Sequence, residues 1–373
     1  MIYFDNAATT KPSITAIEKA FCFNKDNFFN ASTLYLGGLN VSREIKKAKE
    51  SIIRNVANSD FEVIFTSCGS ESDNQAIFCS VKRGVFVTSK GEHSAVYKSF
   101  LELKNRGLSV EFIDLNLDGS VNTELLYEFL KNNKVDFLSL IHVNNETGAI
   151  NDVVEIAKNV KKINPKTIIH VDGVQAYGKI PFRLTKDIDF YAISAHKINA
   201  LKGVGALIKN KKANLSPLIC GGGQENGYRS GTENVFGIKV FEYAGEEKYL
   251  KIKENFEYVK TIKECLINNL DKSYFKIITG ENSSPYILTV SAVGLRGEVL
   301  MHTLEREEII VGNGSACSSK NRYSRVVSAC GYSNEVLDGV IRLSFSTENT
   351  LEEAKIAVGL LNNAVKKLKG IIK

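Results

Sequence analysis

None of the seven cysteines, Cys22, Cys68, Cys79, Cys220, Cys265, Cys317 and Cys330, belongs to a Cys-x-x-Cys pair, and their number is odd. Scattered in this way they argue against a disulfide framework or a metal site, and they fit a reducing compartment. Long basic runs are missing too. The densest, Lys209-Asn210-Lys211-Lys212 and Lys366-Lys367-Leu368-Lys369, sit in a chain whose net charge is only +6 over 373 residues. They read as solvated faces, so no direct nucleic-acid partner is expected. The opening Met1-Ile2-Tyr3-Phe4-Asp5 reaches an acid at once and lacks a signal-peptide pattern, and the uncharged stretches are too short and polar to span a bilayer. No internal repeat or low-complexity stretch is visible. A cytoplasmic globular enzyme without a membrane partner is the expectation.

What is present is ample apolar material, 43% of residues, in a chain longer than one core usually needs, so two domains are expected. A short strand at Tyr3–Asp5 runs into small polar residues and Pro12, with a helix from about Ser13. Ser42–Val56 carries Ile45, Ala48, Ile52, Ile53 and Val56 at helical spacing. Apolar strand-like runs then recur at Glu62–Phe65, Gly84–Val87, Val110–Ile113, Phe137–Ile141, Thr167–Val171, Ile188–Ile193 and Val204–Ile208, mostly with helical patterns between them. Strands alternating with helices predict an α/β fold with a mainly parallel sheet covered on both faces, its ligands beyond the carboxyl ends of the strands. After Gly237 the texture changes to long charged helices and then to an α+β pattern, with a helix near Tyr249–Leu266 expected to bridge the two parts. The expected division is a large domain over 12–250 and a smaller one made of 1–11 and 251–373.

Chemistry gathers at the predicted strand ends. Lys197, in Ser194-Ala195-His196-Lys197, follows the run Ile188–Ile193. A lysine just past a buried strand is partly desolvated, so its amine can lose a proton near neutrality and attack a carbonyl carbon. Alone it reads better as one surface lysine among many. Upstream, however, Val171-Asp172 ends another strand with an acid. Pyridoxal 5'-phosphate (PLP) needs a lysine for its aldehyde and a carboxylate for its pyridinium nitrogen.

The other motifs are open individually. Thr66-Ser67-Cys68-Gly69-Ser70-Glu71-Ser72-Asp73 could seat a phosphate at a helix start, or Ser70 and Asp73 could form an N-cap signal. His93, just past a strand, is either structural or placed to stack on a ring and move protons. Asn144-Asn145-Glu146-Thr147-Gly148 is a polar turn. The segment Gly221-Gly222-Gly223-Gln224 with Arg229-Ser230-Gly231-Thr232 is either a phosphate-approaching loop or a plain surface connection. Arg342 lies inside the strand Ile341–Phe345, as a carboxylate clamp or facing water on an edge strand. Cys317, in Gly314-Ser315-Ala316-Cys317-Ser318-Ser319, has only small neighbours and is expected on an exposed, reactive loop, unlike Cys79 or Cys265 in apolar helical patterns.

Taken together, in order, these motifs resemble those of the cysteine desulfurases of the NifS/IscS type, in the class V aminotransferase branch of the PLP-dependent fold-type I enzymes. The resemblance runs over essentially the whole chain, from Tyr3-Phe4-Asp5-Asn6-Ala7-Ala8-Thr9-Thr10 through Glu92-His93, His142–Gly148, His170-Val171-Asp172 with Gln175, Ser194–Lys197 and Arg229–Thr232 to Gly314–Ser319. It implies a Schiff-base role for Lys197, pairing of Asp172 with the ring nitrogen, stacking of His93, and contact of Gln175 with the phenolic oxygen. Asn145 would lie beside the ring and the substrate carboxylate, which Arg342 would hold. Gly69, Ser70, Ser194 and His196 would bind the phosphate, with Thr232 supplied by the other subunit of a homodimer. Cys317 would take the sulfur.

Some positions depart from the family pattern. The Asn-Pro-Ser-Ser-x-His stretch appears as Asn30-Ala31-Ser32-Thr33-Leu34-Tyr35, Gly-Gly-Thr-Glu as Cys68-Gly69-Ser70-Glu71, and Gly-Pro-Lys-Gly as Ala200-Leu201-Lys202-Gly203. Asn226 stands where an arginine is usual. None removes a group assigned to bond-making. The expected reaction converts L-cysteine to L-alanine, with the sulfur passing to Cys317 as a persulfide and on to an acceptor protein of iron–sulfur assembly or tRNA thiolation. Alternatives are another class V enzyme, an aminotransferase or selenocysteine lyase, or a weakly catalytic sulfur-relay subunit.

Overall fold

The computed structural model describes residues 1–313 and 322–372. A seven-stranded sheet occupies its centre, formed by β2 (Phe61–Thr66), β3 (Val85–Ser89), β4 (Ser109–Ile113), β5 (Phe137–Ile141), β6 (Ile168–Asp172), β7 (Phe190–Ser194) and β8 (Gly205–Asn210) in the order β2-β8-β7-β6-β5-β3-β4. All pairings are parallel except those of β8, which runs antiparallel to β7 and β2. The reason is local: residues 195–204 are too few for a parallel crossover, which takes about a dozen or more.

Side chains alternate across the sheet. Tyr191 and Ile193 join one core with Val87, Leu138, Leu140, Ile169 and Val171, while Phe190 and Ala192 face the other side. The first face is covered by α1 (Ile14–Asp26), α2 (Leu36–Val56), α5 (Thr123–Asn132), α6 (Val153–Ile163) and α7 (Val235–Leu250), the second by α3 (Gly69–Cys79) and α4 (Ser94–Asn105). In α2 the buried stripe Val41, Ile45, Ala48, Ile52 and Val56 has helical spacing. Because both faces are covered, β5 and β7 are buried along their whole length.

The smaller sheet has the order β1-β11-β12-β10-β9, from β1 (Ile2–Phe4), β9 (Phe275–Ile277), β10 (Ile287–Ala292), β11 (Ile309–Asn313) and β12 (Val340–Ser344). Its core joins Phe4, Leu288, Val290, Ile341 and Leu343 to residues of α8 (Ile252–Asn269), α9 (Gly297–Arg306) and α12 (Leu351–Ile372). The short helices α10 (Arg325–Ala329) and α11 (Asn334–Asp338) place Val327, Val336 and Leu337 in a small cluster with Ile278 and Val340.

The expected bridging helix near Tyr249–Leu266 is instead two helices that meet at Lys251, whose φ of −130° is not helical. The first, α7, packs with α1 and α2 on the large sheet, and the second, α8, packs on α12. Among the described residues no helix is long and apolar enough to cross a membrane.

One crossing segment fixes where the site forms. After β1 the chain leaves the small sheet, and the Thr10 amide donates to the His196 carbonyl and the Ser13 amide to that of Asn199 before Ser13 caps α1. Residues 5–10 therefore lie over the carboxyl end of β7.

Candidate active site

Asp172 is the last residue of β6, and its Oδ1 accepts from the Val174 amide at 3.0 Å. In the neighbouring strand, β7 ends at Ser194 and a single tight turn, Ala195–Lys197, brings the lysine round. Asn199, in the left-handed region at φ 65°, ends that turn. Lys197 Nζ donates to the carbonyls of Ala7 and Ala8, at 2.6 and 2.7 Å.

The start of α3 forms one wall. Its N-cap is Cys68, which makes no side-chain capping bond, so of the two readings of the motif the N-cap at Ser70 is not seen, and Ser70 lies within the first turn. Amides left uncapped at a helix start, with the positive end of the helix dipole, suit an anion. The approach is close: a Cβ on Gly69 would meet Val174 Cγ2 at 2.8 Å and Ser194 Cβ at 3.4 Å.

His93 caps α4, its Nδ1 accepting from the Ala95 amide at 3.2 Å. That bond places the proton of the neutral ring on Nε2, and burial lowers the basicity of the ring. His196 Nδ1 lies 3.1 Å from Thr9 Oγ1, and burial, with Lys197 adding to it, pushes His196 down to about 4.

Arg342 is 7% exposed on β12, a central strand of its sheet, which rules out the edge-strand reading. One terminal nitrogen pairs with Asp5 Oδ1 at 2.8 Å and the other donates to the Asn145 carbonyl at 2.9 Å. Among the described residues, Arg342 Nε and Asn145 Oδ1 are buried without hydrogen-bond partners.

These groups share one cleft of about 370 Å³, lined among others by Gly69, Ser70, His93, Asn145, Asp172, Gln175, Ser194, His196, Lys197 and Arg342. Thr232 is not among them. It is exposed and lines a separate hollow with Phe28, Asn30 and Asn234, on a loop held by the Arg229–Glu71 and Lys49–Glu225 ion pairs. Cys317 lies outside the described residues. Cys330 is buried, its thiol bonded to the Val326 carbonyl and pushed up to about 12 by burial.

Two further buried acids, named in the sequence only within motifs, were given no catalytic or binding role there. Asp73 and Glu92 are buried carboxyl groups near Asp172; burial raises both, the Asp172 charge adds to each, and the Glu92 charge adds to Asp73. Glu92 Oε1 accepts from Ser89 Oγ at 2.6 Å and the Ile141 amide at 3.1 Å, yet burial pushes its carboxyl up to about 8. Asp73 is also held well above the usual carboxylate range, chiefly by burial, 3.4 Å from the neutral His170 ring. Burial raises Asp172 as well, but His93 and Lys197 draw it back towards ionisation. Asp172 is thus the acid that a cation in the cleft would ionise. For Glu92 the available signal was an acid three residues past the apolar strand Val85–Ser89.

A family model for class-V aminotransferases matches residues 2–356. The chain belongs to the class-V aminotransferase family. It is 33% identical to a cysteine desulfurase IscS of Dictyoglomus turgidum, over 99% of this chain and 96% of that protein. It is 31% identical to a cysteine desulfurase of a Nostoc species, over 100% of this chain and 94% of the relative. A solved structure described as a NifS-like protein superposes with a TM-score of 0.91 at 31% identity, covering 98% of this chain and 99% of that one. Within the class-V family the chain therefore falls with the NifS/IscS desulfurases, and its two-sheet architecture is that of the fold-type I enzymes, as the motifs had implied.

Proposed function

We propose that this class-V enzyme is a PLP-dependent cysteine desulfurase that converts L-cysteine to L-alanine and passes the sulfur to Cys317 for delivery to an acceptor protein. The observation that carries the reading is the meeting of Lys197, Asp172 and Arg342 in one cleft, from β7, β6 and the other sheet. The donor set fits the cofactor: uncapped amides and the hydroxyls of Ser70 and Ser194 for a phosphate, a carboxyl for a ring nitrogen, an imidazole and a lysine amine. When bound, PLP supplies an aldehyde for the substrate amine and a ring that stabilises negative charge at the substrate α-carbon.

The chain's own residues supply the rest. Lys197 carries the amine that holds the cofactor and then moves the α-proton. Arg342 is fixed by Asp5 and the Asn145 carbonyl before substrate arrives, leaving Nε, which has no partner among the described residues, for the substrate carboxylate. Pre-fixing the cation lowers the ordering cost of binding. Cys317 attacks the substrate sulfur as a thiolate. The Cβ–S bond breaks with its electron pair left on carbon, which gains a proton and leaves in alanine, while an S–S bond remains on Cys317.

The same reading includes a homodimer in which Thr232 completes the partner's phosphate site. Thr232 stands outside its own cleft beside a strongly exposed apolar segment with Phe28, Leu34 at 89%, Tyr35 and Leu36 at 83%. Patches of that kind mark protein interfaces. The division into 12–250 and 1–11 with 251–373 is supported by the separate cores of the two sheets. Free thiols at Cys22, Cys68 and Cys220 fit a cytoplasmic setting.

The test is turnover of L-cysteine by the purified, PLP-loaded protein with a thiol reductant. Alanine and sulfide are expected in equal amounts without any oxo acid. Turnover that requires an oxo-acid acceptor and releases no sulfide would identify an aminotransferase instead.

A further inference from the structure

Lys179 is 5% exposed, and among the described residues no carboxylate pairs with it. The charged groups that bear on it are Lys197, Lys248 and Arg342, all cationic. A buried lysine without a counter-ion is costly, and a methionine would fill similar space without that cost. What the lysine provides is one bond: Nζ donates to Gln175 Oε1 at 2.7 Å. Its other notable neighbour is the Tyr286 ring, 5.9 Å from Nζ to the centroid.

That bond determines which end of the Gln175 amide faces the cleft. Gln175 Nε2 donates to the Ala7 carbonyl at 2.9 Å, the same carbonyl that accepts from Lys197. With the oxygen drawn to Lys179 and one N–H on Ala7, the second N–H of Nε2 is left for an acceptor in the cleft that Gln175 lines. A reversed amide would set its oxygen against the Ala7 carbonyl and leave Lys179 facing an NH₂ group. The backbone keeps the pair in place, since the chain turns sharply at Gly178, φ 70°, where a Cβ would meet Ile198 Cγ2 at 2.8 Å.

We propose that Lys179 is a positioning residue for the reaction, holding Gln175 so that its amide N–H is presented to the phenolic oxygen of the cofactor. The inference rests on the PLP reading above. A donor at that oxygen favours its anionic form. Loss of Lys179 frees the amide to rotate and weakens the donor.

The experiment is a pH titration of the visible absorbance of the PLP-loaded protein, with the rate of cofactor loss on dilution as a second readout. It compares wild type, Lys179→Met, Gln175→Met and the double variant. Lys179→Met is expected to raise the pH midpoint by about half a unit or more and to speed cofactor loss. In the Gln175→Met background the same change is expected to do little, because coupled residues are not additive. Lys179→Gln, which keeps a donor, is expected to shift the midpoint less than Lys179→Met and serves in the same cycle if the methionine variant does not fold. An unchanged midpoint in the lysine variants, or an equal shift with and without Gln175, would overturn the proposal. A wild-type protein that takes up no PLP would overturn the cofactor reading instead.

Discussion

Arg342 and Asp5, 337 positions apart, are joined by a 2.8 Å ion pair that spans from β12 to the end of β1. Gly312, opposite Arg342 in the sheet register, makes room for it. A Cβ there would meet Asp5 Oδ1 at 2.7 Å and Arg342 Nη2 at 3.0 Å. Asp5→Ala should therefore loosen the arginine and raise KM for L-cysteine roughly tenfold, with kcat changed less, since a partly buried pair holding a binding cation is worth about 1–2 kcal/mol. Gly312→Ala should act in the same direction. Steady-state kinetics giving a wild-type KM for both variants would mean that Arg342 does not hold the substrate.

Lys197→Ala should remove the visible absorbance of the loaded protein and lower turnover by at least about a hundredfold, since on the proposed mechanism it deletes both the covalent anchor and the proton carrier. Borohydride reduction followed by peptide mapping checks the anchor directly. A reduced adduct on any lysine other than Lys197 would show the assignment to be wrong.

Much of this site was legible because its residues stand where strands end. Asp172 and Lys197 follow apolar runs whose length and alternation match β6 and β7, and parallel sheets place such ends together. The partners of those residues were not legible. Asp5 meets Arg342, and the Ala7 carbonyl meets Lys197 and Gln175, only because β1 joins the small sheet before the chain crosses to the large one. The break at Lys251 was missed for a similar reason, since α7 and α8 follow one another with no proline or glycine at the junction and differ in which core they cover. Thr232 stands outside its own cleft, and the role proposed for it depends on a second copy, which one sequence does not lay out.

Glu92→Gln tests the buried acids. A carboxyl whose folded pKa is raised to about 8 stabilises the fold fully below its unfolded pKa, and that contribution is lost as pH climbs to 8. The glutamine can keep both acceptor bonds and does not ionise. Between pH 5 and pH 8.5, urea unfolding should show the variant gaining on wild type by on the order of 3 kcal/mol. A constant difference over that window would mean that Glu92 is already ionised in the folded protein.

Asp172→Ala should retain part of the cofactor, because the phosphate contacts and Lys197 remain, yet lose most turnover. Absorbance and single-turnover rates measured on the same sample separate the two effects. Near-normal turnover would make Asp172 a structural acid.

The account turns on Cys317. Cys317→Ser should leave cofactor uptake and the spectral change on adding L-cysteine intact, while a hydroxyl is a far weaker nucleophile towards sulfur than a thiolate. Cys330→Ala, at a buried thiol pushed up to about 12, is the control and should change the rate little. The decisive measurement is intact-protein mass after one turnover with L-cysteine and no reductant. Wild type should gain one sulfur atom, mapped to Cys317, and form one alanine, and the serine variant should gain none. Sulfide and alanine released by Cys317→Ser at the wild-type rate would contradict the account.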